Sequence, residues 1–110
     1  MRVIVCGSRT YTNAMKINKA LEEIGPVELY DGGAQGADAI AAIWRCDNSV
    51  DGFSIEAEWN LYGRAAGPIR NKKMLDFVKP DVVLAFGTGI GTRNMVKQAK
   101  LAGVEVKEYT

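Results

Sequence analysis

The apolar positions of this chain alternate between short unbroken runs and stretches with a 3.6-residue period. Arg2–Cys6 is a β-branched run closed by Gly7 and predicts a buried strand. Thr12 or Asn13 then caps a helix whose apolar positions Ile17, Ala20, Leu21 and Ile24 keep the helical period, and Gly25-Pro26 stops it. Val27–Tyr30 predicts the second strand, ended by Asp31-Gly32-Gly33. The next helix runs from about Gln35 to Cys46, with Ala37, Ile40, Ala41 and Trp44 on one face and Asp47-Asn48 closing it. Gly52–Ala57 predicts a weaker third strand, and the polar stretch Glu56–Gly67 after it carries Trp59 and Tyr62. Pro68 suits the first turn of a third helix, which Pro80 must end. Asp81–Phe86 is the clearest strand; the glycine-rich Gly87–Thr92 then feeds a helix from about Arg93 to Ala102. Gly103 terminates that helix, and Val104–Lys107 predicts a fifth strand.

Strict alternation of strand and helix implies a mainly parallel sheet covered on both faces, because right-handed crossovers place helices there. The expected class is therefore α/β, a three-layer α/β/α sandwich with a five-stranded sheet. Such sheets bind ligands at the carboxyl ends of their strands, where the strand order reverses. With 110 residues, no linker and no solenoid-length repeat, residues 1–110 form a single domain.

Composition narrows the chemistry. The 47% hydrophobic and 25% charged residues are those of a soluble globular chain. No apolar run approaches the ~18 residues of a membrane span, and Met1-Arg2 leads straight into a strand, so a cytoplasmic protein without membrane partners is expected. Cys6 and Cys46 read as buried free thiols in a reducing compartment. The absence of histidine removes His-based metal sites and His-dependent triads and dyads, and no metal set is expected. The net charge of +1 argues against a bulk nucleic-acid face. Its distribution is uneven: residues 1–55 carry five basic and seven acidic side chains, residues 56–110 nine and six. Arg64, Arg70, Lys72 and Lys73 fall within ten residues free of acids, which suits either one small anionic ligand or a solvated helix face.

Three strand ends carry the candidate chemistry. The first, Gly7-Ser8-Arg9-Thr10, combines a tight turn with a hydroxyl and a guanidinium fork suited to phosphate or carboxylate, without the G-x-G-x-x-G dinucleotide spacing. The second, Gly32-Gly33-Ala34-Gln35-Gly36-Ala37-Asp38, leaves backbone N–H groups uncovered at a helix start. Asp38 there either stabilises the helix dipole or accepts hydrogen bonds from a ribose, and its position at a helix N-terminus predicts a lowered pKa. The fourth strand ends in Gly87-Thr88-Gly89-Ile90-Gly91-Thr92, a second candidate phosphate cradle; Arg93 follows where a Walker loop needs Lys and Ser or Thr.

Together, Cys6-Gly7-Ser8-Arg9, Gly32-Gly33-Ala34 with Gly36-Ala37-Asp38, Trp59, Tyr62-Gly63-Arg64, Ala66-Gly67-Pro68, Arg70-Asn71 and Gly89 with Gly91-Thr92 resemble the YspA-like branch of the SLOG superfamily. That superfamily includes the Lonely Guy phosphoribohydrolases, a molybdenum-cofactor carrier protein and the DNA-processing protein DprA. The resemblance implies a Rossmann-like domain, with strand order 3-2-1-4-5, that binds a nucleotide-derived ligand, and it implies homo-oligomers. It brings no particular reaction with it. The Lonely Guy enzymes read Pro-Gly-Gly-x-Gly-Thr-x-x-Glu at the fourth-strand loop. Here Gly87 and Thr88 replace the proline and first glycine, and Met95 takes the place of the catalytic glutamate. Their catalytic arginine has a counterpart in Arg70.

The expected function is binding of a nucleoside monophosphate, ADP-ribose or NAD-related ligand, of sensor or carrier type, with no other cofactor. Gly32, Gly33, Gly36, Gly89, Gly91 and Thr92 are to supply amides, and Arg9, Arg64 and Arg70 positive charge. Trp59 and Tyr62 stack a base or cover a partner subunit, with burial in the core or an interface favoured for Trp59. The alternatives are hydrolysis of an N-glycosidic bond, with Arg70 and an acid such as Asp38 or Glu58, and a DNA-binding module resembling DprA.

Overall fold

β1 (Arg2–Gly7) lies between two parallel neighbours, and the rest of the molecule is arranged around it. A computed structural model describes residues 1–110 as β1, α1 (Ala14–Ile24), β2 (Glu28–Asp31), α2 (Ala37–Asp47), α3 (Trp59–Tyr62), a 3-10 turn at Gly63–Ala65, α4 (Ala66–Val78), β3 (Val82–Phe86), α5 (Ile90–Leu101) and β4 (Glu105–Tyr109). The sheet is all parallel in the order β2-β1-β3-β4.

The β1 run is buried because successive side chains alternate faces and both faces are covered. Val3 and Val5 join Leu29, Val82, Leu84 and Phe86 against Ile17, Leu21, Ala41 and Trp44 of α1 and α2. Ile4, with Tyr30 and Val83, packs instead on Met74, Leu75 and Val78 of α4 and Met95 and Ala99 of α5. This is the expected three-layer sandwich. Each fully buried Val, Leu or Ile contributes roughly 1.5–3 kcal/mol of transfer free energy.

The caps agree with the sequence. Asn13 Oδ1 accepts the Lys16 amide at 3.1 Å, and Gly25 closes α1 in the left-handed region at φ 59°. α4 starts two residues before Pro68, which still sits in the first turn, where an N–H has no intrahelical acceptor.

The sheet has four strands, not five. The segment expected as the third strand does lie along the outer edge of β2, as the order 3-2-1-4-5 requires. It makes only two isolated parallel bridges there, Glu28 with Asp51 and Asp31 with Ser54. Gly52 interrupts it: at φ 127° its α-carbon lies so close to the Leu29 carbonyl that no side chain fits. We call residues 51–58 the strap. A buried ion pair holds it, for Arg45 Nη1 reaches Asp31 Oδ2 at 2.8 Å and Ser54 Oγ donates to the same oxygen at 2.9 Å. Cys46, expected to be buried, is exposed at the end of α2; Cys6 is half-buried.

Arg45→Met should therefore destabilise the protein by about 3 kcal/mol or more, because Asp31, with no solvent exposure, loses the cation that balances it. Urea unfolding measures it. A loss below ~1 kcal/mol would show that the pair does not hold the strap.

Candidate ligand site

In a parallel sheet every strand ends on the same edge, so the loops after β1, β2 and β3 meet. They enclose a cavity of about 1230 Å3, closed from the side by the strap, α3 and α4. The three loops are tied by backbone contacts that leave no room for side chains. Gly36, at φ 73°, faces the carbonyls of Ser8 and Arg9 at distances no Cβ tolerates, and Gly7 packs in the same way on Ala37 and the Phe86 carbonyl. Ser8 Oγ accepts the amides of Thr88 at 3.1 Å and Gly89 at 2.9 Å.

These ties correct part of the expected phosphate cradle. The amide of Gly89 is already bonded to Ser8, as is that of Thr88. Those of Gly32 and Ala34 donate to Asp38 Oδ2 at 3.1 and 3.3 Å, and that of Gly33 donates to Asp31 Oδ1 at 2.7 Å. Gly32, Gly33 and Gly89 build the loops rather than offering free donors. Gly36 and Gly87 do not line the cavity, whereas Gly7, Ser8, Arg9, Gly32, Gly33, Ala34, Asp38, Thr88, Gly89, Gly91 and Thr92 do. Of the expected donors, Gly91 and Thr92 do stay free. α5 begins at Ile90, three residues earlier than expected, so Ile90, Gly91 and Thr92 form its first turn, where amides have no intrahelical acceptor. Thr92 Oγ1 beside them is buried without a partner.

Asp38 occupies the opposite side. It is 4% exposed, its Oδ2 takes two amides, and its Oδ1 has no partner. Contrary to the expectation from the helix dipole, its pKa is raised. Burial, and then the Asp31 charge, push the carboxyl up to about 6 against the pull of the Ala34 and Gly32 amides and of Arg70.

Of the candidate cations, Arg70, Arg64 and Arg9 all line the cavity. Arg70 also serves the fold: Nη1 donates to the carbonyls of Gly32 at 2.6 Å and Ile55 at 3.3 Å, pinning the strap to the second loop, and Nε donates to Asn71 Oδ1 at 3.0 Å. Arg9 and Arg64 are exposed at the rim and make no ion pair. Asn71, 3% exposed, sends Nδ2 to the Gly91 carbonyl at 3.2 Å and to Asn94 Oδ1 at 3.0 Å, which sets the start of α5 against α4. Met95, 1% exposed, belongs to the core and touches the cavity floor. Glu58 lies outside the cavity, paired with Lys73 at 3.5 Å. Trp59 is 49% exposed rather than in the core and lines the cavity, whereas Tyr62 stands outside it under Lys73.

Sequence reasoning missed Glu56, which the strap lays over Gly33, and Asn94, the link between Asn71 and Gln98. Only the spacing of Asn94 and Gln98, four apart on one helix face, could have signalled the second.

A family model described as the YspA, cpYpsA-related SLOG family matches residues 1–62, the part that contains the first two loops. The "Gene 61 protein" of Mycobacterium phage D29 is 35% identical over 98% of this chain and 95% of its own. The chain belongs to the YspA, cpYpsA-related SLOG family. Among solved structures, DNA processing protein A (DprA) from Streptococcus pneumoniae shares the fold with a TM-score of 0.79 at 16% identity. The match covers 97% of this chain and 49% of DprA, so this SLOG chain spans about half the length of that protein.

The raised Asp38 pKa has a consequence for stability. Between the unfolded value of 3.8 and the folded value of about 6 the native state binds the extra proton, so stability falls as pH rises through that window. The loss attributable to Asp38 is on the order of 2–3 kcal/mol. Asp38→Asn should remove it and be the more stable protein at pH 7.5. Urea midpoints from pH 4 to 7.5 that change in parallel for the two proteins would contradict this.

Proposed function

We propose that the chain binds a small nucleotide-derived ligand, a nucleoside monophosphate, ADP-ribose or an NAD-related compound, as a sensor or carrier that does not hydrolyse it. One observation carries the reading. Three buried side-chain polar atoms in the molecule lack a hydrogen-bond partner, and two of them, Asp38 Oδ1 and Thr92 Oγ1, belong to residues that line this cavity. An unpaired buried polar group costs about 1–3 kcal/mol, so two around one cavity point to a ligand that satisfies them. The α5 side offers donors and a helix N-terminus for a phosphate, with Arg9 and Arg64 at the rim to balance its charge. Small-molecule pockets typically hold about 300–1,000 Å3, so this one has room for a ligand with two phosphates and two sugars. Membership in the SLOG family supports the same class of ligand.

The case against turnover is chemical. Met95 has no proton to give where the Lonely Guy enzymes hold their glutamate, and general acid–base help is worth about 10²–10⁴-fold. Of the two carboxylates considered as the acid, Glu58 lies outside the cavity, whereas Asp38 lines it with its pKa raised to about 6, so the adenine-release assay below decides for or against Asp38 as an acid.

ADP-ribose at 1 mM should raise Tm by several degrees through mass action. Arg64→Ala should at least halve the shift without altering the unliganded Tm, while Lys19→Ala on α1 leaves the shift intact. Unmoved melting curves with AMP, ADP-ribose and NAD would remove the nucleotide reading. Incubation with AMP should release no free adenine above the buffer rate; several turnovers per minute, abolished by Arg70→Ala, would make the protein a hydrolase.

A second part of the proposal is self-association. Trp59, Leu61 and Tyr62 leave 49%, 66% and 41% of their surface exposed on one short helix, a concentration that suits burial in a homodimer. Light scattering should give at least twice the monomer mass, falling when Leu61 is replaced by Glu. A monomer mass throughout the micromolar range would reject it.

A further inference from the structure

The two oxygens of Asp38 have different surroundings. Oδ2 accepts the amides of Gly32 and Ala34, whereas Oδ1 accepts nothing although it has no contact with solvent. The charged and titratable groups around the carboxyl come from every element packed on it. Cys6 stands at the end of β1, its thiol held protonated by burial, and Asp31 ends β2, paired to Arg45 of Asp38's own helix. Arg70 reaches in from α4: a side chain at Gly32 would strike both its guanidinium and Asp38 Oδ2. Glu56 closes over Gly33 from the strap. Every group bonded to this carboxyl is a donor, yet one oxygen is left over.

We propose that Asp38 reads the ligand: its Oδ1 accepts a hydrogen bond from a sugar hydroxyl, which holds Asp38 as the carboxylate and expels a proton from the site. This rests on the nucleotide reading above and adds the atom, the ligand group it meets and the proton balance. The protonated free protein and the ligand give the complex of the carboxylate plus one proton; no covalent bond changes. In the free protein burial and Asp31 favour the neutral acid. The ligand hydroxyl supplies the missing donor and, with Arg70 and the two amides, tips the balance to the anion. Affinity therefore rises with pH until Asp38 is already ionised in the free protein. Ligands without the hydroxyl leave Oδ1 unpaired and are rejected.

Calorimetric titration with ADP-ribose tests this, because its pyrophosphate diester lacks the phosphate-monoester pKa of about 6. Affinity should rise about tenfold from pH 5 to pH 7. Titrations in buffers of different ionisation heat should show close to one proton released at pH 5. Asp38→Asn should bind with no pH dependence and no proton release. At pH 7.5 the wild type should bind AMP at least tenfold more tightly than 2′,3′-dideoxy-AMP. Should the variant not fold, the Asp38 carboxyl carbon of the wild type, followed by NMR, should show its midpoint falling when ADP-ribose is added. A pH-independent affinity, or an unmoved midpoint in a complex that does form, overturns the Asp38 role and leaves the nucleotide reading in place. No binding of ADP-ribose or AMP at any pH overturns both.

Discussion

The site depends on how closely the loop after β1 can approach its two neighbours. β1 is the middle of three parallel strands, so its loop has the start of α2 on one side and the loop after β3 on the other. Gly36 and Gly7 let backbone meet backbone there, and Ser8 Oγ gathers two amides from the β3 loop. A methyl group at Gly36 would have to displace two carbonyls while its backbone held a positive φ, a combination of overpacking and strain. The cavity takes its shape from that closeness.

The packing also decides where a ligand finds partners. Because the loops satisfy one another, most glycine amides are occupied, and the groups left for a ligand stand at the two sides: the first turn of α5 with Thr92, and Asp38 at the start of α2. The pattern polarises the cavity, donors on one side and an acceptor on the other. A ligand with an anionic group at one end and hydroxyls at the other fits it. Above its raised pKa Asp38 is unfavourable to stability in the free protein, which agrees with the binding role proposed for it. Arg70 and Asn71 stand behind this arrangement, one pinning the strap to the second loop, the other setting α5 against α4.

The alternation of apolar runs and helical periods was enough to foresee the three-layer fold and the three converging loops, since parallel topology follows from connectivity, whereas the strand order came with the family resemblance. The strap was legible in position and not in form, because a single close approach of Gly52 to the Leu29 carbonyl interrupts a run that otherwise has strand character. The state of Asp38 was misjudged for a related reason. Helix position is visible in a sequence, but the burial and the neighbouring Asp31 that outweigh the dipole are not. Sequence likewise located the glycine loops without revealing that Ser8, Asp31 and Asp38 already occupy their amides.

The central claim is that one ligand bridges the start of α5 and Asp38 between three converging loops. Amide chemical-shift mapping of the full chain, titrated with ADP-ribose, tests it most directly. The largest shifts should fall on Ile90, Gly91 and Thr92 and on Gly32 to Asp38, with Arg9 and Arg64 following and α1 unmoved. Shifts confined to one of the two sides, or spread over α1 and β4, would contradict the account.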